Sequence, residues 1–104
     1  MSSGDKAIKL LSLEGKVAVI TGGASGIGLG AAMRMAEMGA IVTLLDIDKS
    51  KGLQAADDIY GRGGQAKFYE CDVTSSVDCK RTVESIIGEF GRIDVLFNLS
   101  LIHI

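Results

Sequence analysis

Short apolar runs alternate along the chain with longer segments whose apolar residues recur at helical spacing. The runs are rich in β-branched residues and are typical of buried strands, and the longer segments are typical of amphipathic helices. Predicted strands cover Lys16–Thr21, Ile41–Asp46, Ala66–Glu70 and Ile93–Asn98. Predicted helices cover Ser25–Met38, a segment from a cap at Asp48 or Ser50 to about Tyr60, and Thr74–Phe90.

The spacing of apolar residues also predicts which face of each helix is buried. In the first helix this face consists of Ile27, Ala31, Met35 and Met38. In the third helix it consists of Val77, Val83, Ile86, Ile87 and Phe90. Glycines follow each helix and provide stop signals.

Alternation of strands and helices indicates a parallel sheet built from right-handed crossovers. The strands are almost continuously apolar, as they must be when helices cover both faces of a sheet. We therefore predict an α/β fold with a four-stranded parallel sheet that is covered by helices on both faces.

Composition narrows the possible partners. The 104 residues suffice for one domain, and a net charge of -2 gives no reason to expect nucleic acid or an anionic membrane. No apolar stretch is long enough to span a bilayer, and residues 1–16 lack a signal-peptide pattern. Cys71 and Cys79 match no disulfide framework or metal motif, so we expect reduced thiols in a cytoplasmic protein that holds no metal.

A glycine-rich segment, Thr21–Gly28, joins the first strand to the first helix. Glycine lets the backbone turn sharply and lets a pyrophosphate approach closely, where helix N–H groups and the helix dipole favour negative charge. The second strand ends on Asp46, eighteen positions after Gly28, where a carboxylate accepts hydrogen bonds from an adenosine ribose. The alternative is a glycine-rich turn that merely connects strand and helix.

The sequence Thr-Gly-x-x-x-Gly-x-Gly at Thr21–Gly28 resembles the fingerprint of the short-chain dehydrogenase/reductase family, and the resemblance extends from about Leu13 to Asn98. It implies a Rossmann-type doubly wound parallel sheet with strand order 3-2-1-4, truncated here after the fourth strand, that binds NAD or NADP. By position, it places the pyrophosphate at the glycine loop, the ribose at Asp46 and the adenine near Ile47 and the Asp72-Val73 pair. The implied cofactor-binding residues are Gly22, Ser25, Gly26, Ile27, Gly28, Asp46, Ile47, Asp72, Val73 and Asn98.

Two points in this assignment have alternatives. Asp72 could instead cap the following helix, a role for which Thr74 competes. A 2'-phosphate beside Asp46 would face a carboxylate, and neither Ser25 nor Ile47 and Asp48 supply a compensating cation, so NAD is favoured over NADP.

The resemblance fails after Asn98. Family members continue with Asn-Asn-Ala-Gly, whereas Leu99-Ser100-Leu101 follows here. The family's catalytic Tyr-x-x-x-Lys pair is also missing, since Gly64 follows Tyr60 at that spacing and Val73 follows Tyr69. His103 lacks an arranged partner. The expected activity, hydride transfer at an alcohol or ketone, therefore belongs to a full-length parent, and this chain is expected to be inactive.

The domain limits follow from these observations: an N-terminal extension at 1–12, a dinucleotide-binding half-domain at 13–98 and a non-family tail at 99–104. Leu-Ser-Leu-Ile-His-Ile matches one reading frame of a transposon-end adapter used for sequencing libraries, so we interpret the tail as adapter translation; a genuine short isoform is the alternative. Truncation would leave Val95, Leu96 and Phe97 on an exposed edge and favour aggregation.

Two other functions fit the same residues. One is a dinucleotide-binding module without catalysis, and the other is a Rossmann methyltransferase, which also has a glycine loop and an acidic strand end. The parent of a dehydrogenase fragment is expected to be a homo-oligomer.

Overall fold

The computed structural model describes residues 12–99. Seven elements alternate along them: β1 Val17–Thr21, α1 Gly26–Glu37, β2 Ile41–Asp46, α2 Lys49–Gly61, β3 Gln65–Glu70, α3 Ser76–Phe90 and β4 Val95–Asn98. The predicted elements are all present, and their boundaries differ by at most two residues at either end. The expectations for the N-terminal extension, His103 and the tail beyond Leu99 lie outside the described residues.

The four strands form one parallel sheet in the order β3-β2-β1-β4, which confirms the predicted topology. β1 pairs with β2 from Val17 opposite Ile41 to Thr21 opposite Leu45, and with β4 from Ala18 opposite Val95 to Thr21 opposite Asn98. Because the strands are parallel, their carboxyl ends lie at the same edge of the sheet. The loops that follow β1, β2 and β3 therefore gather there.

Both faces of the sheet are covered, as in a doubly wound fold. Alternate strand residues such as Ile20 and Leu44 pack with Ala36 of α1 and Ile59 of α2. The strand residues between them, such as Val19, pack on the other face in a cluster that includes Ile86 of α3. This alternation explains why β1 is buried at every position.

The predicted buried face of α1 is only partly right, because Met35 packs against the core and Ala31 is half-buried, but neither residue is fully buried. Gly28, Ala32 and Ala36 are the buried residues, whereas Ile27 is 76% exposed and Met38 is 40% exposed. Small residues on the buried face let the helix backbone approach the sheet closely. The larger apolar side chains of Ile27 and Met38 are therefore excluded from this face and remain exposed.

The predicted face of α3 is only partly right. Ile86 is buried and Phe90 packs against the same cluster, but Val77 is 78% exposed and Ile87 is 47% exposed. Thr82 takes a buried position instead, because its hydroxyl donates to the Asp78 carbonyl at 2.8 Å and so remains hydrogen-bonded.

The edge strand β4 also differs from the expectation. Leu96 is 65% exposed, as predicted, but Val95 and Phe97 are half-buried against the core on the α1 side. Successive side chains of a strand point to opposite faces, so Val95 and Phe97 share the face of this cluster and Leu96 lies on the other face.

Candidate dinucleotide-binding site

The candidate site lies at the carboxyl edge of the sheet, where the loop at residues 22–25 connects β1 to α1. The Gly22 N–H donates to the Leu45 carbonyl at 2.8 Å, which fixes the start of the loop to β2. Open α/β sheets bind ligands in the crevice at this edge. The fold thus brings the predicted glycine loop beside the end of the strand that carries Asp46.

Two glycines of the loop approach each other closely. A Cβ atom added to Gly28 would lie 2.0 Å from the Gly22 carbonyl oxygen, so no larger residue fits without moving the loop. Gly22 and Gly26 have φ angles of 69° and 59°, in the left-handed region that favours glycine. A Cβ at Gly26 would meet no atom within 4 Å, so its backbone faces open space. A larger residue would therefore be strained at Gly22 or Gly26 and would clash with the loop at Gly28.

The first turn of α1 is arranged differently from those of the other helices. Asp48 accepts a hydrogen bond from the Lys51 N–H at the start of α2, and Ser75 accepts one from the Asp78 N–H at the start of α3. Ser25 occupies the corresponding position of α1 but makes no side-chain cap, and the first turn carries no acidic residue. The positive end of this helix dipole therefore faces the loop without a protein carboxylate from its own first turn.

The Asp46 carboxylate joins the loop to the end of β2. Its Oδ2 atom accepts from the Ala24 N–H at 3.2 Å, and its Oδ1 atom accepts from the Asp48 N–H at 3.0 Å. Asp46 is half-buried, and the next residue, Ile47, is 68% exposed. Each carboxylate oxygen has a further lone pair, so Asp46 keeps the capacity to accept hydrogen bonds from a ligand.

Asp72 and Val73 follow β3 at the same edge, because the Cys71 N–H donates to the Asp46 carbonyl at 3.0 Å. The Asp72 Oδ1 atom accepts from the Thr74 N–H at 3.0 Å and from the Thr74 hydroxyl at 2.6 Å. These hydrogen bonds lower the pKa of Asp72 below its ordinary value. The alternative that Asp72 or Thr74 caps α3 is wrong, since Ser75 is the cap.

Asn98 ends β4 next to Thr21 at the end of β1. The Thr21 hydroxyl donates to the Asn98 Oδ1 atom at 2.8 Å and accepts from the Leu99 N–H at 2.9 Å. Leu99 reaches the loop, because its Cδ1 atom lies 3.0 Å from the position of a Cβ added to Gly28. The structure thus brings Asn98 to the same edge as the glycine loop.

Sequence reasoning missed two residues that organise this edge. The glycine motif includes Thr21 but does not indicate that its hydroxyl connects β1 to the end of β4. Ala24 contributes through its backbone N–H, which no side-chain pattern reveals. A threonine at the end of a buried strand was the available signal, since a buried hydroxyl needs a partner.

Other kinds of site find no support in the described part of the chain. Within residues 12–99, no group of three or more His, Cys, Asp or Glu side chains could hold a metal ion. No helix in the same range is long and apolar enough to cross a membrane.

Comparison with known proteins gives the family. The model of the family described as short chain dehydrogenase matches residues 16–100. The chain belongs to the short-chain dehydrogenase family. The match continues two residues beyond Asn98, where the resemblance was expected to end. Membership favours the dehydrogenase interpretation over that of a methyltransferase.

Individual members of the family resemble this chain over most of its length. Tropinone reductase-like 1 of Erythroxylum coca is 43% identical over 86 residues, which are 83% of this chain and 30% of that protein. A hydroxysteroid dehydrogenase from Escherichia coli superposes with a TM-score of 0.82 at 38% identity, over 85% of this chain and 37% of that one. The chain spans about a third of the length of the curated relatives it matches.

Two of the similar solved structures contain a dinucleotide. A xylitol dehydrogenase bound to NAD+ has a TM-score of 0.78 and 39% identity, over 81% of this chain and 32% of its own. A metagenomic short-chain oxidoreductase in complex with NADP has a TM-score of 0.77 and 34% identity, over 80% of this chain and 38% of its own. Family membership therefore leaves the choice between the two dinucleotides open.

Proposed function

We propose that this chain binds NAD at the carboxyl edge of its sheet, as the cofactor-binding part of an NAD(P)-dependent oxidoreductase. The observation that carries the proposal is the Asp46 carboxylate hydrogen-bonded to the glycine loop at Ala24. In this proposal Asp46 would bind the ribose and the adjacent loop would bind the pyrophosphate. The bound dinucleotide would supply the hydride acceptor or donor, and the residues described here would hold and orient it.

The loop has the properties that a pyrophosphate needs. Gly26 and Gly28 lie in the first turn of α1, whose N–H groups have no acceptor within the helix, and the α1 dipole favours negative charge where Ser25 makes no side-chain cap. Ser25 and Ile27 are exposed beside it. We assign the pyrophosphate contacts to these four residues and Gly22, with Asn98 near the more distant part of the cofactor.

The adenosine half fits the next two strand ends. Asp46 would accept hydrogen bonds from the ribose hydroxyls, and the exposed Ile47 would contact the adenine. Asp72 and Val73 lie at the end of the neighbouring strand and would contact the adenine edge.

Charge favours NAD over NADP in this site. Two unit charges 4 Å apart repel by about 4 kcal/mol at an effective dielectric constant of about 20, so a 2'-phosphate beside Asp46 would lose affinity. Lys49 and Lys51 lie in the first turn of α2, three and five residues after Asp46. If NADP bound as tightly as NAD, these two cations would be the groups that compensate the charge of the 2'-phosphate.

The activity of the longer protein is part of the same proposal. Hydride transfer at an alcohol or ketone is the reaction that the family implies, and the 104-residue sequence contains no Tyr-x-x-x-Lys pair to act as its acid/base. We propose that the chain itself binds the dinucleotide without catalysis. Its cytoplasmic location and the oligomeric parent stay predictions.

Isothermal titration calorimetry of the chain with NAD, NADP and S-adenosylmethionine tests the proposal. We expect binding of NAD, at least tenfold weaker binding of NADP (about 1.4 kcal/mol), and no heat from S-adenosylmethionine. Asp46→Ser should weaken NAD binding by about 1.5–3 kcal/mol, because it removes hydrogen bonds to a charged acceptor.

Asp57→Ser is the matched control, because it removes one exposed carboxylate from α2 without touching the site. Its NAD affinity should equal that of the unsubstituted chain. Equal losses in both variants, or no heat from NAD with the folded chain, would refute the proposed function.

A further inference from the structure

A carboxylate in the first turn of α3 holds the segment that we assign to the adenine. The Asp78 Oδ2 atom accepts a hydrogen bond from the Asp72 N–H at 2.8 Å, six residues earlier in the chain. The Asp78 Oδ1 atom pairs with the guanidinium of Arg81, three residues later. Asp78 therefore connects α3 to the loop that follows β3, and both of its carboxylate oxygens are engaged.

This contact differs from the usual capping arrangement of a helix. Ser75 is the N-cap of α3, and its hydroxyl accepts from the Asp78 N–H at 3.2 Å. In a capping box, the third residue of the helix accepts in return from the N–H of the cap itself. Here the Ser75 N–H donates to the Asp72 carbonyl at 3.0 Å instead, and the Asp78 carboxylate reaches the N–H of Asp72. The side chain of Asp78 thus fixes a residue that lies three positions before the cap.

The backbone and the side chain of Asp72 are both held by neighbouring residues. Its N–H and carbonyl are engaged by Asp78 and Ser75, and its Oδ1 atom accepts from the N–H and the hydroxyl of Thr74. Within residues 12–99, the Asp72 Oδ2 atom accepts no hydrogen bond and the Val73 N–H donates none. The segment therefore keeps one acceptor and one donor on adjacent residues, while its other groups fix its position.

Adenine carries the complementary pair of groups on one edge. Its 6-amino group is a donor and its N1 atom is an acceptor, so they match the Asp72 Oδ2 atom and the Val73 N–H. Hypoxanthine has a 6-oxo group, which is an acceptor, and an N1–H group, which is a donor. It would therefore set an acceptor against the carboxylate and a donor against the N–H, and both polar groups of the protein would lack a partner.

We propose that Asp78 is a positioning residue for base recognition, which holds Asp72 and Val73 where they discriminate adenine from hypoxanthine. Asp78 does not touch the base and acts through the Asp72 N–H. The inference rests on the proposed function, because it requires Asp72 and Val73 to contact the adenine. Without the Asp78 carboxylate, the Asp72 N–H loses its acceptor and the segment is free to turn away from the base, so the preference for adenine falls.

Isothermal titration calorimetry of the 104-residue chain with NAD and with nicotinamide hypoxanthine dinucleotide measures this preference. We expect the unsubstituted chain to bind NAD at least about tenfold more tightly than the hypoxanthine dinucleotide, and Asp78→Ala to lower this ratio to below about threefold. Asp78→Asn should keep most of the ratio, because its amide oxygen can still accept from the Asp72 N–H. A ratio as low in Asp78→Asn as in Asp78→Ala would refute the role of that acceptor.

Asp94→Ala is the matched control, because Asp94 makes the same two kinds of contact at the opposite edge of the sheet. Its Oδ2 atom accepts from the Val17 N–H at 2.9 Å, and its Oδ1 atom accepts from Arg92 at 2.7 Å. The substitution therefore removes a hydrogen bond to a backbone N–H and an ion pair, as Asp78→Ala does. It should leave the ratio of the two affinities unchanged, and equal ratios in the two alanine variants would overturn the inference.

Amide hydrogen exchange tests the contact itself in the chain without dinucleotide. The Asp72 N–H should exchange more slowly than the Val73 N–H, because it donates to Asp78. Asp78→Ala should speed the exchange of the Asp72 amide and leave that of Val17 unchanged, and Asp94→Ala should do the reverse. An Asp72 amide that does not respond to Asp78→Ala would contradict the positioning role.

The outcomes separate this inference from the proposed function. If NAD binds and Asp78→Ala keeps the full preference for adenine, the positioning role is overturned and the proposed function stands. If the unsubstituted chain binds both dinucleotides equally, the assignment of Asp72 and Val73 to the adenine is overturned together with this inference. If it binds neither dinucleotide, the proposed function and the inference are both overturned.

Discussion

The Asp46 Oδ2 atom accepts a hydrogen bond from the Ala24 backbone N–H at 3.2 Å. This contact joins the end of β2 to the glycine loop that follows β1, twenty-two residues earlier in the chain. The carboxylate that would bind a ribose therefore also orders the loop that would bind a pyrophosphate. Groups held in place before a ligand arrives lose less freedom when it binds.

Replacing Gly28 should break the loop, and a second glycine of the same helix supplies the control. Gly28→Ala would put a Cβ 2.0 Å from the Gly22 carbonyl oxygen, so we expect a loss of about 1–3 kcal/mol in the free energy of unfolding and loss of NAD binding.

A Cβ at Gly30 would meet nothing within 4 Å, so Gly30→Ala should stabilise α1 by about 0.5–1 kcal/mol and leave NAD binding intact. Urea unfolding and calorimetric titration of both variants measure these effects. Equal behaviour of the two alanine variants would contradict the close approach of Gly28 to Gly22.

Acid should destabilise the chain through three carboxyl groups. Hydrogen bonds to Thr74, Lys67 and Arg92, respectively, lower the folded-state pKa values of Asp72, Glu89 and Asp94 below their ordinary values of 3.8, 4.5 and 3.8. The unfolded chain then binds more protons than the folded one in acid. Their contribution is present above pH 4.5 and is lost as the pH falls through the lowered values.

Urea unfolding midpoints between neutral pH and pH 3 measure this loss. Asp94→Asn should flatten the acid side of the profile and lower stability near neutral pH, because Asp94 accepts from the Val17 N–H at 2.9 Å and from Arg92 at 2.7 Å. A profile identical to that of the unsubstituted chain would show that Asp94 does not contribute.

The exposed edge at β4 should make the chain associate with itself. Leu96 is 65% exposed on a strand that forms one edge of the described sheet, and such edges pair with other chains. Leu96→Lys should raise solubility and lower the apparent mass in light scattering. Leu53→Lys, which replaces a 52% exposed leucine on α2, should change both much less. Equal improvement in the two variants would point to general surface apolarity instead.

Much of the fold follows from local pattern. The apolar runs and glycine stops predict the strands and helices of residues 12–99, and the βα alternation predicts a parallel sheet with right-handed crossovers. The order of its strands is implied by the resemblance to the family. The glycine motif and the position of Asp46 predict which edge of the sheet carries the site. The elements and this edge of the sheet can be predicted because they depend on residues that are close together in the sequence.

Tertiary packing decides the remainder. The buried face of α1 consists of Gly28, Ala32 and Ala36, since closeness to the sheet matters more there than side-chain hydrophobicity. The hydrogen bonds from Thr21 to Asn98 and from Ala24 to Asp46 join residues far apart in sequence, and no local pattern encodes them. Ser75, which the sequence did not single out, caps α3, and the Asp72 carboxylate accepts hydrogen bonds from Thr74.

The most direct test of the account is a two-dimensional NMR titration of the 15N-labelled chain with NAD. The account predicts that the largest amide shifts fall on Gly22 to Gly28, on Asp46 and Ile47, and on Asp72 and Val73. Asp46→Ser should reduce these shifts at an NAD concentration that half-saturates the unsubstituted chain. Shifts confined to the opposite edge of the sheet, around Gly39 and Gly64, or no shifts in a well-dispersed spectrum, would contradict it.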